Sequence, residues 1–152
     1  MGQYNNMQTF LPEKNYLFAL ASLDTKRHGK QRLEAYDLIG LLTDFKITKH
    51  SFIKQSLLKR RYKNHPVLNL WRDNINALIS YYNLSVLTWI LKGYRNTMPI
   101  IYNPNISHKV FSDKLYSSHR ANLLRKNYNF YKKYNWPENN INYKDIRYVW
   151  EG

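Results

Sequence analysis

The sequence predicts a single all-α domain, and three observations support this prediction. The length of 152 residues suits one compact domain. Apolar residues recur at spacings of three and four in several segments, which is typical of the buried face of a helix. No series of segments alternates apolar and polar residues as strands do, and no internal repeat is visible. We therefore expect residues 1–152 to form one compact helical bundle.

The N-terminal part predicts two helices. Pro12 suits the first turn of a helix that should extend to about Leu23. A second helix should begin near His28 and end near Phe45. The inward residues should be Leu17, Leu20 and Ala21 in the first helix and Leu33, Tyr36, Ile39, Gly40 and Leu42 in the second.

The middle of the chain predicts a short helix, an exposed loop and a long helix. Residues 48–58 favour the short helix, and the basic run 59–63 is too charged to pack in a core. Pro66 suits the first turn of the long helix, which should continue to Leu91 and end at Gly93.

The C-terminal part predicts a loop, a helix and a docked tail. Residues 97–112 contain prolines and asparagines and should form the loop. Asp113 can cap a helix that ends at about Lys126. The short apolar patch 148–150 should dock on the body of the domain.

The positive charge of the chain is concentrated in one part. There are 24 Lys and Arg residues against 10 Asp and Glu residues, which gives a net charge of +14. Residues 1–45 contain as many bases as acids, so the whole excess lies beyond residue 45. Such a one-sided field attracts a polyanion, and the aromatic residues around 128–134 can stack on bases. A nucleic acid is the expected partner, and a basic protein without such a partner is the alternative.

Several other classes of protein are excluded or disfavoured. The chain has no cysteine, which excludes thiolate chemistry and a disulfide-built secreted scaffold. Its five histidines show no metal-ligand spacing, and no Gly-rich phosphate loop is present, so we expect neither a metal nor a cofactor. The apolar stretch 78–91 is too short and too polar to cross a bilayer, and no signal peptide is evident. We predict a cytoplasmic protein without membrane contact.

Two polar clusters are candidates for a functional site. In the first, four residues at positions i, i+3, i+4 and i+7 share a helical face, namely Arg27, Lys30, Gln31 and Glu34. In the second, one face carries His119, Asn122 and Lys126, with Arg125 at its margin. Smaller groups are His65 with Trp71 and Arg72, and Gly93 with Tyr94 and Arg95. From spacing alone, each group is either a site or an ordinary solvated surface, and Lys30 with Glu34 is then a simple i,i+4 pair.

Five segments recur together, in this order, in one family of proteins. They are MQTFLP at 7–12, RHGKQRLEA at 27–35, NHP at 64–66 with LWR at 70–72, SHRANLLRK at 118–126, and YVW at 148–150. With these segments the chain resembles the bacterial and phage proteins described as pyrimidine-dimer DNA glycosylases, a group related to phage endonuclease V. The resemblance covers residues 7 to about 150.

The resemblance implies a compact helical fold related to phage endonuclease V, and repair of ultraviolet-damaged DNA in a bacterial or phage-infected cell. In the endonuclease branch an N-terminal amine attacks the anomeric carbon of the sugar, and a nearby glutamate supports the reaction. The amine displaces the damaged base and forms an imine that permits strand cleavage. The carboxylate stabilises the positive charge that develops on the sugar, and a nucleotide must leave the base stack.

The chain differs from the endonuclease branch in its N-terminus and in its glutamate. Residues 1–6 precede the usual start at Met7, and we expect them to be a flexible extension. The sequence leaves Met1, Gly2 and Met7 open as the first residue of the mature chain. Gly29 aligns with the glutamate of the endonuclease branch, so Glu34 is the expected substitute and Lys30 the expected amine if the terminus is not used. Arg32 aligns with a basic residue, and the expected catalytic set is Glu34, Lys30, Arg32 and His28.

The expected function is that of a DNA repair glycosylase, with or without lyase activity, that acts on damaged or modified pyrimidines such as pyrimidine dimers in double-stranded DNA. A non-catalytic module that binds distorted or modified DNA is one alternative, and another nucleotide-directed hydrolase of the same fold is a second. The lesion and the oligomeric state stay open. The expected DNA-binding residues are Arg27, Gln31, His65, Arg72, Arg95, His119, Arg120, Asn122 and Arg125.

Overall fold

The computed structural model describes residues 7–43, 49–54 and 64–151, and all regular structure within these ranges is helical. The all-α prediction is therefore confirmed. In the described part of the chain, three 3₁₀ turns follow the α-helices, at Lys132–Tyr134, Pro137–Asn140 and Tyr143–Asp145. The α-helices within the described ranges are α1 (Tyr16–Ala21), α2 (Thr25–Thr43), α3 (Pro66–Trp71), α4 (Ile75–Leu91), α5 (Asp113–Lys126) and α6 (Tyr128–Tyr131).

Helix α4 forms the centre of the core. It packs most extensively against α2 and also against α1. Its buried residues include Leu78, Tyr81, Tyr82 and Val86, none of which has measurable exposure. The Tyr81 hydroxyl donates to the Phe10 carbonyl oxygen at 2.7 Å, so this buried polar group is satisfied. Within the described residues, no helix is both long and apolar enough to cross a membrane.

The predicted long helix 66–91 is divided into α3 and α4. The break lies at Asn74, whose side chain accepts a hydrogen bond from the Ala77 N–H at 3.1 Å and so caps α4. Asparagine favours such caps because its side chain competes with the backbone for hydrogen bonds. The predicted end at Gly93 is confirmed, since Gly93 has a φ of 90°, a conformation that glycine adopts without steric cost.

Other predicted boundaries shift for local reasons. Helix α1 begins at Tyr16 and not near Pro12, because the Asn15 side chain caps it. The buried face of α1 also differs from the predicted one, because Tyr16 is buried whereas Leu17, predicted to face inward, is exposed. Helix α2 begins at Thr25, earlier than predicted. Helix α5 has the predicted bounds, with Ser112 as its cap.

The region between α2 and α3 is described only in part. Residues 49–54 form turns and bends, so this part of the predicted short helix 48–58 is not helical. The rest of that helix, the predicted loop 59–63, the N-terminal residues 1–6 and the predicted helix end at Phe45 lie outside the described residues.

The C-terminal tail docks on α5, as predicted. The Val149 N–H donates to the Ser118 hydroxyl at 3.0 Å. Arg125 donates to the carbonyl oxygens of Lys144 and Ile146, each at 3.1 Å. The tail therefore covers one side of α5 and places the Tyr148 ring 5.6 Å from that of His119.

Candidate active site

A basic recess, here called the Glu34 pocket, opens between the first half of α2 and the end of α5. Its volume is ≈ 150 Å³. Four of its lining residues carry cationic side chains, and Glu34 supplies the carboxyl group. Such a recess concentrates the field of its cations on a negatively charged ligand. The lining residues are Phe10, Lys26, Arg27, Lys30, Glu34 and Lys126.

The carboxyl group of Glu34 is buried within this pocket, with 6% of the residue exposed. Its Oε2 accepts a hydrogen bond from the Gln8 N–H at 3.2 Å. Burial raises the pKa of Glu34 to about 7, although the nearby Lys30 charge and the Gln8 N–H act in the opposite direction. A group with this pKa can either donate or accept a proton near neutral pH.

A second buried carboxyl, that of Asp37, lies one helical turn further along α2. Burial raises the pKa of Asp37 to about 7 as well, and its charge contributes to the raised pKa of Glu34. Asp37 accepts hydrogen bonds from the Ser51 hydroxyl at 2.7 Å and the Phe52 N–H at 3.2 Å. It therefore fixes the turn that places Phe52 near Lys30.

The extended segment 7–11 brings Phe10 and the Gln8 nitrogen to the pocket. Gln31 holds this segment from α2, because its Oε1 accepts the Phe10 N–H at 2.9 Å and its Nε2 donates to the Gln8 carbonyl at 2.7 Å. From α5, the Nδ1 of His119 accepts the Leu11 N–H at 2.8 Å. Two helices thus position one main-chain segment beside Glu34.

Three polar residues predicted to contact DNA are fully buried, namely Gln31, His119 and Asn122. Burial lowers the pKa of His119 to about 3, so its ring is neutral and suited to accept the main-chain hydrogen bond. The Asn122 side chain donates to the Ser118 carbonyl at 2.7 Å and accepts from Arg125. These three side chains therefore form hydrogen bonds inside the protein. In this structure they have no exposed surface with which to contact DNA directly.

The predicted contacts Arg120 and Arg125 have partners within the protein. Arg120 forms a two-point ion pair with Glu138, at 2.7 and 3.0 Å, and also donates to the Pro12 carbonyl at 3.0 Å. Arg125 holds the tail, as described above, yet this residue remains exposed. Phosphate contact is therefore more accessible to Arg125 than to Arg120.

His28 and Arg32, predicted as catalytic, lie on the α4 side of α2 and do not line the Glu34 pocket. The Nε2 of the fully buried His28 lies 2.9 Å from both the Ser85 carbonyl and the Thr88 hydroxyl. Burial lowers the pKa of His28 to about 4. Arg32 lies 4.3 Å from the Trp89 ring centroid and donates to Asn96 Oδ1 at 2.7 Å.

The remaining predicted DNA contacts, His65, Arg72 and Arg95, lie outside the pocket lining. His65 caps α3 by accepting the Val67 N–H at 3.1 Å. The Arg72 Nε donates to the Asn69 side chain at 3.0 Å. Arg95 is exposed. Contact of these three residues with DNA stays a prediction.

Sequence reasoning did not select the lining residues Phe10 and Lys26, and it placed Lys126 in the second polar cluster without assigning it a role. Lys126 shares a helical face with His119, and this spacing was the available signal. Phe10 lies within the MQTFLP segment, but no local pattern shows that this segment crosses α2. Tyr148 was not selected either; burial raises its pKa, and the Glu34 charge raises it further. In the part of the chain that the structure describes, no three His, Asp or Glu side chains form a metal-binding group.

Comparison with known proteins gives one family. The family model described as pyrimidine dimer DNA glycosylase matches residues 7–102, which include α1 to α4 and every residue of the Glu34 pocket except Lys126. No curated protein and no solved structure matches the chain. Because the model covers more than half of the sequence, the chain belongs to the pyrimidine dimer DNA glycosylase family, a family of DNA repair enzymes.

Proposed function

We propose that this protein removes a damaged pyrimidine, such as one base of a pyrimidine dimer, from double-stranded DNA by chemistry in the Glu34 pocket. The observation that supports this proposal most directly is a buried carboxyl group with a pKa of about 7 among four cationic side chains. Groups with strongly shifted pKa values that lie in clefts are frequent at catalytic sites.

The cations of the pocket provide the binding energy for DNA in this proposal. Arg27, Lys30 and Lys26 lie along the first half of α2, where they contact phosphates on either side of the lesion. A recess of ≈ 150 Å³ is too small for a duplex, so one nucleotide must leave the base stack to reach Glu34. Arg125 extends the basic surface beyond the pocket, and Gln31, His119 and Asn122 support it from inside.

Glu34 acts on the sugar of the everted nucleotide. As the bond between C1′ and the pyrimidine nitrogen breaks, positive charge develops on the sugar, and the ionised carboxylate stabilises this charge. A nucleophile adds to C1′, and the base leaves with the bonding electrons and takes up a proton. At a pKa of about 7, a substantial fraction of the enzyme carries the ionised carboxylate at neutral pH.

The Gln8 nitrogen is the main-chain group that contacts Glu34 in the pocket. It lies 3.2 Å from Glu34 Oε2. In this chain, however, Met7 precedes Gln8, so this nitrogen belongs to a peptide amide and has no available lone pair. In the proposed mechanism Glu34 supplies the carboxylate, and the Gln8 nitrogen, as a peptide amide, is not the nucleophile.

We also propose that the described residues work as one domain. The tail docks on α5, and segment 7–11 is held by both α2 and α5. Segment 7–11, which brings Phe10 to the Glu34 pocket, therefore depends on contacts with distant parts of the chain.

Release of free base from ultraviolet-irradiated duplex DNA tests the proposed function. The wild-type protein should release damaged pyrimidine from irradiated duplex and not from the unirradiated control. Glu34→Gln should reduce release by about 100-fold or more while its affinity for irradiated duplex is retained, because the cations remain. Glu138→Gln is a matched control, since Glu138 is also buried but pairs with Arg120 away from the pocket. Its release per folded molecule should equal that of wild type.

A DNA-binding module without catalysis is the second candidate. The observation that favours it is the structural use of Glu34, whose carboxylate accepts the Gln8 N–H. In that case the wild-type protein would bind irradiated duplex more tightly than undamaged duplex and release no base. Unchanged base release by Glu34→Gln would instead show that catalysis occurs without this carboxylate.

A further inference from the structure

An apolar surface, here called the α4 patch, lies where α4 meets α1 and segment 100–108. It contains two recesses, of ≈ 400 and ≈ 320 Å³. Both recesses are lined by Ser80, Leu84 and Ile106, so they form one continuous surface. Leu91 extends this surface along α4, because it follows Leu87 by one helical turn. The exposed apolar residues that define the patch are Leu17, Leu87, Leu91, Ile100, Tyr102 and Ile106.

Segment 100–108 is held on α4 by asparagine side chains. The Asn83 side chain donates to the Ile101 carbonyl oxygen at 2.8 Å and accepts the Ile101 N–H at 2.9 Å. The Asn103 side chain donates to a main-chain carbonyl of α4 at 3.0 Å. Tyr102, between these two anchors, is 86% exposed. The apolar side chains of the patch are thus fixed at the surface, which lowers the entropic cost of binding a partner.

The area of the α4 patch is large for a monomer. The six residues that define it are between 39% and 86% exposed. With roughly 200 Å² for each fully exposed large side chain, they present on the order of 700 Å². The largest apolar patch of a typical monomer covers about 300–600 Å², whereas a stable interface buries about 800 Å² on each partner. The patch therefore has nearly the area that a dimer interface requires.

The α4 patch also differs in charge from the chain as a whole. The net charge of the chain is +14, so two copies repel each other wherever their basic surfaces meet. Among the described residues, the linings of the two recesses contain no Lys, Arg, Asp or Glu. Two copies can therefore approach through these linings without placing like charges in contact. A partner recognised by its charge, in contrast, would find no opposite charge there.

We propose that this protein forms a homodimer in which the α4 patches of two copies face each other. A two-fold axis pairs the same surface on both copies, so that surface needs both a protruding and a receding part. Tyr102 is the protruding part, and the recess of ≈ 400 Å³ beside it is the receding part. The described linings of the Glu34 pocket and of the α4 patch share no residue, so this inference goes beyond the proposed function and does not depend on it.

Sedimentation velocity of the full chain without DNA, at several protein concentrations, tests the homodimer. The wild type should sediment as a dimer at the higher concentrations. Its dissociation constant should fall as the salt concentration rises, because salt screens the repulsion between two positively charged copies. DNA binding should respond to salt in the opposite direction.

Three lysine variants locate the interface. Tyr102→Lys and Ile106→Lys should each raise the dissociation constant of the dimer by about 100-fold or more, because each places two positive charges in an apolar interface. Both side chains are exposed, so both variants should fold, and circular dichroism with thermal melting measures this. Ile141→Lys is the matched control, since Ile141 is exposed but lies in the tail, outside the α4 patch. It should sediment as wild type does.

A wild type that stays monomeric up to about 100 μM would overturn the proposal and leave the α4 patch to a different partner. A dimer that persists unchanged in folded Tyr102→Lys and Ile106→Lys would overturn it as well. The two proposals fail separately. Base release from irradiated DNA by a monomeric wild type contradicts only the homodimer. A dimer that releases no base contradicts only the glycosylase proposal.

Discussion

The two faces of the first half of α2 contain similar residue types and have opposite environments. The face towards the pocket carries Arg27, Lys30 and Glu34, while the face towards α4 carries His28 and Arg32. On the α4 side, His28 contacts a main-chain carbonyl and a hydroxyl group, and Arg32 contacts the Trp89 ring and the Asn96 side chain. On the pocket side, the cations surround a carboxyl group and leave a recess open. Residue type alone therefore does not distinguish a site from an interface.

The two faces also differ in how they affect the stability of the folded protein. Glu34 has a pKa of about 7 because its charged form is poorly solvated, so ionising it in the folded protein reduces stability. Proteins retain such unfavourable groups chiefly where function requires them. On the α4 side, by contrast, the packing is close. Gly29 has no side chain, so the Trp89 ring lies directly against α2, and a Cβ atom added at Gly29 would lie 3.1 Å from this ring.

The largest predicted effect on stability is a gain for Glu34→Gln that increases with pH. Below the ordinary Glu pKa of 4.5, Glu34 is protonated in both the folded and the unfolded protein. As pH rises from 4.5 to about 7, only the unfolded chain loses the proton, so the wild type loses stability relative to the variant. The gain of the variant should reach about 3 kcal/mol above pH 7. Urea unfolding of both proteins from pH 5 to pH 8 measures it.

The buried histidines His28 and His119 are present in both proteins, so their own titration cancels in this difference. A constant difference across the pH range, or a loss of stability in the variant, would contradict the unfavourable ionisation of Glu34.

A smaller effect is predicted for Arg32→Met on the α4 side. Methionine retains the packing length but loses the contact with the Trp89 ring and the hydrogen bond to Asn96. The free energy of unfolding should fall by about 1–2 kcal/mol, as measured by urea unfolding. Base release per folded molecule should stay at the wild-type level. A loss of release in a variant that is still folded would return Arg32 to the catalytic set.

The smallest effect is predicted for Lys30→Gln on DNA binding. If Lys30 contacts one phosphate, the slope of log affinity against log salt concentration should become less steep by about 1. Fluorescence anisotropy of a labelled duplex at several salt concentrations measures this slope. Lys114→Gln removes the same charge at the start of α5, outside the Glu34 pocket, and is the matched control. It should leave the slope unchanged. An equal change in both variants would show that the effect comes from net charge and not from the pocket.

The sequence was sufficient to predict the helical class and most of the helices. Apolar spacing and capping residues are local properties; the spacing located α2, and Asp113 and Gly93 located the start of α5 and the end of α4. It did not reveal the break at Asn74, because the capping hydrogen bond depends on a single side-chain conformation.

The site was predictable only in part. The i, i+3, i+7 spacing correctly brought Arg27, Lys30 and Glu34 to one face. The spacing could not show that Gln31, between them, holds segment 7–11, or that Lys126 arrives from a helix about ninety residues away. Such contacts depend on tertiary packing, which a local pattern does not record.

A crystal structure of Glu34→Gln bound to a duplex with a stable abasic-site analogue tests the central claim most directly. The account predicts an everted sugar in the Glu34 pocket, with the substituted amide in place of the carboxylate beside C1′ and the flanking phosphates against Arg27 and Lys30. DNA bound on another surface, with the Glu34 pocket unoccupied, would contradict the account.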